Sequence, residues 1–477
     1  MPRPIRLAAA AGLALALATG GALAAQAASA PQLQNWPEFG LNPQRTNSTA
    51  ASPGITAANI SHMRSQTVAL PGTVDSSPIY LHGVTVKGAT HNTIFVTTTY
   101  GITLAIDATS GRILWRFTPA GIKTWSGSPQ ITTASPIADP SGSYVYSTSP
   151  DGEVHKLAIS NGHEQPGWPV KITTDPTREK LAASLNIAGA ELLASTGGYY
   201  GDPPPYIGHV VAIERASGRI QAVFNTLCSN RRRIVVAKTC SASDSAILSR
   251  SGPVVEPGGT RLLISTGNAS YNGRTNFGDS VIELTLPNLA FRQAFTPTDQ
   301  EKLNTGDLDL GSGSPAVLPG DLAWIAGKDD VQRLLNLAAL DGRPPGTPPR
   351  TGGDVQDLPT PGNQMVFTTP AVYANLLFVA DGGGTIAYRV GGRRLHRIWG
   401  NGTAGTSPVL AGGLLYVYNP GGSLVVYHPA NGHVVTTLNV PSGHWNSPIP
   451  VDGHLIVPSG DANDHSTSGT LTIFSVR

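Results

Sequence analysis

Charge is scarce in this sequence. Only 13% of its 477 residues are Asp, Glu, Lys or Arg, and their charges nearly cancel, to +2. So neutral a chain offers no electrostatic footprint for nucleic acid, which is excluded as a partner. At 40% hydrophobic residues it is too apolar to remain disordered. Cysteine is nearly absent, and its two residues lie twelve positions apart, so no haem-attachment Cys-x-x-Cys-His occurs and no Cys/His zinc cluster rises above background. No phosphate-binding P-loop and no Ser-His-Asp spacing rises above background. After residue 30 no apolar run is long enough to cross a bilayer.

Glycine and proline are plentiful instead, at 55 and 39 residues, and they favour turns and short strands over long amphipathic helices. A degenerate segment recurs about eight times after residue 75. The first copy reads SSPIYLHG (76–83) and then GITLAIDATSGRILW (101–115). Later copies start at Ser135-Pro136, Ser251-Gly252-Pro253, Ser314-Pro315, Thr369-Pro370, Ser407-Pro408 and Ser447-Pro448, with a weaker start near Asn186. The spacing, roughly 50–60 residues early and about 40 at the end, suits four-stranded blades. The expected fold is all-β: an eight-bladed β-propeller, with seven blades as the alternative count.

Apolar runs such as TIFVTTT (93–99), RLLISTG (261–267) and LLYVYN (414–419) read as blade strands. The third strand of a blade recurs as LAIDATSG (104–111), HKLAISNG (155–162) and LVVYHPANG (424–432), each ending on a glycine that supplies positive φ. Trp115, Trp168 and Trp399 follow such turns and are expected to wedge between blades. The last copy ends in GTLTIFSVR (469–477), and MRSQTVAL (63–70) supplies the missing outer strand that closes the ring.

Residues 1–27 read as a secretory signal: Arg3 and Arg6, an Ala/Leu-rich stretch, then small residues at a cleavage site after Ala27. The mature chain, a single propeller over residues 31–477, is expected in the periplasm or outside the cell, with no membrane span once the signal is removed. In an oxidising compartment Cys228 and Cys240 are expected to close a disulfide.

With these repeats on the page, the chain resembles the quinoprotein alcohol dehydrogenase-like superfamily, the propellers built from pyrroloquinoline-quinone (PQQ) repeats. Polyvinyl-alcohol-dehydrogenase-like members are the nearest comparison. The resemblance covers residues 35–477 and is most specific in three places. NWPEFG (35–40) with ITAANISHMR (55–64) resembles the opening motif. STGNASYNGRTNFGDS (265–280) resembles the segment whose Asn holds Ca²⁺ beside the quinone, which implies that role for Asn268. FTPTDQEKLNTGDLDLGSGSP (295–315) resembles the stretch with the catalytic Asp, which implies Asp307 or Asp309 as base and Asp307 as a further metal ligand. GKDDVQRLLNL (327–337) resembles a Lys-Asp-Gly turn and implies that Lys328 points to the axis. Ca²⁺ takes carboxylate and amide oxygens, so these residue types suit it; turn-capping by the same residues is the structural alternative.

The chain also departs from the active enzymes. It lacks their adjacent-cysteine disulfide and has no Trp between Asp244 and Gly267, where they place the ring under the quinone. The segment STGGYYGDPPPYIGH (195–209) has no Glu to match their metal ligand, although Asp202 is near. Two late loops, GHWNSP (443–448) and GDANDHSTSG (460–469), bring His444, Trp445, Asn446, Asp461, Asn463 and His465 as candidates for a ligand in the channel, or for loop-capping hydrogen bonds and blade packing. Two expectations follow. The first is a binding or scaffold propeller for a small molecule or a protein partner, comparable to the scaffold lipoprotein of the barrel-assembly machinery but without its lipid-attachment Cys. The alternative is a PQQ- and Ca²⁺-dependent alcohol dehydrogenase using Asn268, Lys328 and Trp445 around the cofactor.

Overall fold

The computed structural model describes residues 32–476, so the signal read over residues 1–27 lies outside the described residues. Seven four-stranded antiparallel blades follow one another along the chain: residues 79–117, 137–171, 186–225, 254–295, 316–359, 371–401 and 409–439. The eighth combines Ile449–Val451, His454–Ser459 and Gly469–Ser475 with Arg64–Leu70 as outer strand, in register from Arg64↔Ser475 to Leu70↔Gly469. The count is therefore eight, and the ring closes where the sequence placed the seam. Closure leaves no open sheet between first and last blade. No helix among the described residues is long and apolar enough to cross a membrane.

The recurring Ser/Thr-Pro start has a physical reason. The hydroxyl of one blade's start bonds the start of its neighbour: Ser135 Oγ accepts from Ser77 N at 2.8 Å and Ser184 Oγ from Ser135 N at 3.4 Å. Ser314 Oγ accepts from Ser251 N at 3.2 Å, and Ser407 Oγ from Thr369 N at 3.1 Å. Thr406 Oγ1 donates to Asn446 O at 2.7 Å, and Ser447 N returns to Ser76 O at 3.4 Å. These bonds girdle the channel with a ring of hydroxyls, satisfying backbone groups that the innermost strands bury. Between blades the tryptophans wedge as expected. The Trp115 Nε1–H donates to Ile159 O of the next blade at 2.8 Å, and Trp399 Nε1–H to Pro429 O at 2.8 Å. Each indole lies on the next blade's turn glycine: a Cβ on Gly162 would sit 2.7 Å from Trp115, and one on Gly432 would sit 2.6 Å from Trp399.

The path of residues 32–54 was not foreseen. This segment winds inside the ring and adds backbone bonds to the innermost strands of most blades. Trp36 pairs with Tyr80, Pro37 O accepts from Ala138 N, Pro43 O from Val255 N, Thr46 O from Val372 N, and Leu33 O from Asp452 N. Ser48–Thr49 runs parallel to Val409–Ala411. Arg45, fully buried, clamps it: the guanidinium donates to Glu38 Oε2, Phe39 O, Leu185 O and Ser251 O. The segment thus pairs with the innermost strands at positions beyond their hydroxyl-bonded starts.

Candidate functional site

On the propeller axis lies a cavity of about 680 Å³, walled by the loops that precede the strand starts and by the loops between second and third strands. Its floor is made by residues just ahead of the hydroxyl ring, among them Arg250, Ser312, Phe367 and Trp445. Asn268, Asp307, Asp309, Lys328, His444, Trp445 and Asn463, all singled out from the sequence, line this one space.

One wall is built on Asp309, a largely buried carboxylate at the end of the connection from blade 4 to blade 5. Its Oδ1 accepts from Asn268 N at 2.7 Å. That approach requires glycine at 267, since a Cβ there would overlap Asp309 Oδ1. The Lys328 ammonium bridges the two aspartates, 3.0 Å from Asp307 Oδ1 and 2.5 Å from Asp309 Oδ2. Asn268 Nδ2 also donates to the exposed Asp307, at 2.9 Å. Asp202, on the Tyr/Pro-rich loop, accepts from Tyr206 OH at 3.0 Å. Burial, then the Asp309 charge, pushes the Asp202 carboxyl up to about 6 and raises Asp244 as well. Behind them burial and Asp309 push Asp279 up to about 8. Burial alone would lower Lys328, but the Asp309 and Asp307 carboxylates outweigh it and hold the ammonium above its ordinary value. This wall is short of positive charge.

The opposite wall rests on Asp75, which the sequence reading did not single out. Its carboxylate accepts from His444 Nδ1 at 2.8 Å, Trp445 N at 3.3 Å and Ala462 N at 3.2 Å, and it faces Arg250 Nη2 at 3.6 Å. Burial by itself would raise Asp75, but Arg250 and His444 together pull it below the usual carboxylate range. The Arg250 guanidinium also lies over the Trp445 ring at 4.6 Å. Phe367 stacks on that indole at 4.7 Å and His444 at 3.7 Å. Lys180 makes no ion pair among the described residues, and burial, then the nearby Arg250, lowers it to about 8.

Other candidates have different surroundings. Asn446 is buried in the hydroxyl ring: its Nδ2 donates to Val74 O and its Oδ1 accepts from His444 N. Asp461 caps a short turn through Asn463 N and faces His444 Nδ1 at 3.3 Å. The backbone carbonyl of His465 accepts from Tyr100 OH. Cys228 and Cys240 are disulfide-bonded. Asp75, Lys180 and Arg250 escaped sequence reading because they sit in separate loops, at no telling spacing. The one available signal was that Asp75 and Arg250 each stand close before a strand start.

No curated protein matches the sequence. A family model described as outer membrane protein assembly factor BamB matches residues 61–268. Among solved structures, quinohemoprotein alcohol dehydrogenase from Comamonas testosteroni superposes with a TM-score of 0.69 at 13% identity, covering 94% of this chain and 81% of its own. A europium-containing methanol dehydrogenase gives 0.67 at 13% identity over 93% and 98%. BamB from Moraxella catarrhalis gives 0.55 at 13% identity over 86% and 98%. The chain thus shares the eight-bladed β-propeller fold of these proteins, and its residues 61–268 match the repeat family model.

Proposed function

We propose that the protein is an exported binding propeller whose axial cavity takes a small polar molecule together with a divalent cation. One observation carries this reading: Asn268, Asp307 and Asp309 converge around the Lys328 ammonium in the axial cavity. A hard cation takes carboxylate and amide oxygens. Asn268 Oδ1 is buried and accepts no hydrogen bond, and the carboxylates already hold a positive group between them. These residues fit Ca²⁺. They suit a planar quinone less well. Trp445 is a filled stack, with Arg250, His444 and Phe367 already against it, and the 244–267 window, where the active enzymes place their tryptophan, has none. The disulfide supports export.

A second reading, a PQQ- and Ca²⁺-dependent alcohol dehydrogenase, is favoured by Asp307 and Asp309 lying beside both Asn268 and Lys328. In that reading the cofactor would accept hydride, and one of the two aspartates would take the alcohol proton.

A thermal-shift titration separates them: Ca²⁺ alone, then PQQ with and without Ca²⁺, on wild type and Asp309→Asn. Saturable Ca²⁺ stabilisation that Asp309→Asn abolishes, with no response to PQQ, is the expected result. Ca²⁺-dependent stabilisation by PQQ would replace this reading with the dehydrogenase. Silence toward both would overturn the cation site and favour a protein partner, the role suggested by the BamB match.

A further inference from the structure

We propose that His444 Nε2 is a ligand-facing hydrogen-bond acceptor that selects a hydroxyl-bearing molecule in the axial cavity, with Asp75 as its positioning residue. This rests on the reading of that cavity as a ligand site, but it concerns the wall away from Asn268 and Asp309.

The argument starts from Asp75. It is fully buried, and its carboxylate is surrounded by donors: two backbone N–H groups, the Arg250 guanidinium and the His444 ring. A carboxylate held ionised can only accept, so the proton of the imidazole must sit on Nδ1. In the neutral ring the lone pair is then left on Nε2. That nitrogen has no hydrogen-bond partner among the described residues, and the ring lines the cavity. Stacking on Trp445 at 3.7 Å fixes the plane of the ring. Two side chains thus settle both the tautomer and the orientation, and what the cavity receives is a fixed acceptor. An O–H can satisfy it; an ether or a carboxylate cannot.

A metal site is the competing use of these residues, since ligand atoms of Asp75, His444 and Asp461 lie within 4.8 Å of one another. Arg250 argues against it. The guanidinium already neutralises Asp75 in a dry setting, and a second cation there would meet its charge at close range. The charged groups facing the ring are Asp75, Asp461 and Arg250, and Lys180 shares the cavity.

The test uses the full mature chain labelled with ¹⁵N-histidine, with glycerol as probe and 1,2,3-trimethoxypropane as its hydroxyl-free counterpart. The indole Nε1–H resonance of Trp445, assigned among the seven tryptophans in a ¹⁵N-tryptophan-labelled sample, reports occupancy of the cavity. The expected results are an unprotonated Nε2 on His444 at neutral pH and a shift of that nitrogen with glycerol but not with the ether. Glycerol affinity should fall about three- to tenfold in His444→Gln, the size of one lost hydrogen bond. Asp75→Asn, if it folds, should move the ring proton to Nε2; His444→Gln keeps the test decisive if it does not. A proton on Nε2 in the wild type, or equal binding of the ether, overturns the proposal. If glycerol perturbs Trp445 while His444 stays silent, this inference fails and the cavity reading stands. If neither glycerol nor Ca²⁺ perturbs the cavity, the reading beneath it fails.

Discussion

Replacing Arg45 by Met should loosen the N-terminal segment around residues 36–47 without touching the open cavity. The guanidinium is 0% exposed and has four acceptors: Glu38 Oε2 at 2.7 Å, Phe39 O at 2.6 Å, Ser251 O at 3.1 Å and Leu185 O. Two of these stand at the starts of blades 3 and 4, so this side chain adds a tie to the ring beside the segment's backbone bonds. Burial raises Glu38 to about 7 against the pull of Arg45, so the pair is held at a desolvation cost. Removing one member of a buried pair leaves an uncompensated carboxylate and costs about 3–5 kcal/mol. At about 2.1 cal/mol/K per residue, residues 32–476 melt with an entropy of roughly 0.9 kcal/mol/K. The melting temperature of Arg45→Met should therefore fall by about 3–5 °C. Glu38→Gln combined with Arg45→Met should recover part of that, because no charge is then stranded. Hydrogen exchange should show the loss locally, at the amides of Trp36 and Asn47, which are paired to Tyr80 O and Gly40 O. A melt within about 1 °C of wild type, with unchanged protection at those amides, would refute the clamp.

Three further outcomes follow from the same geometry. Gly162→Ala and Gly142→Ala both force alanine to positive φ, +75 and +69, but only at 162 does the new methyl meet Trp115, at 2.7 Å. Gly162→Ala should be the less stable by about 1–3 kcal/mol in denaturant unfolding, and equal stability would remove the inter-blade wedge. Lys180, held at about 8, should be acetylated ahead of ordinary lysines in a competitive labelling experiment, with a rate midpoint near that pH. Its lowered value means the unfolded chain binds more protons between about 8 and 10.5, so its effect on stability improves as pH rises through that window. Replacing Cys228 and Cys240 together by Ala should cost about 3 kcal/mol through the freed loop of the unfolded chain, read as a lower denaturation midpoint.

The architecture was legible because it repeats. Ser/Thr-Pro starts, turn glycines at 111, 162 and 432, and tryptophans at 115 and 399 each mark a local need met again in the next blade. Even the seam could be read, since a blade short of its outer strand at the C-terminus must find one elsewhere, and Arg64–Leu70 was unspent. The resemblance to PQQ-repeat motifs singled out Asn268, Asp307, Asp309 and Lys328, although nothing in it said that a lysine would bridge both aspartates.

What the sequence by itself determined was thus the blade and its closure, because these depend on short-range patterns of turn, strand and side-chain size, while the count of eight was settled by the structure. Only the tertiary structure decided what fills the channel. Arg45 reaches backbone oxygens 140 and 206 positions away, and Asp75 meets His444 across 369. Such partners share no periodicity. They are neighbours because closing a ring brings the inner edge of every blade to one axis, where a few buried charges must find each other or remain unpaired.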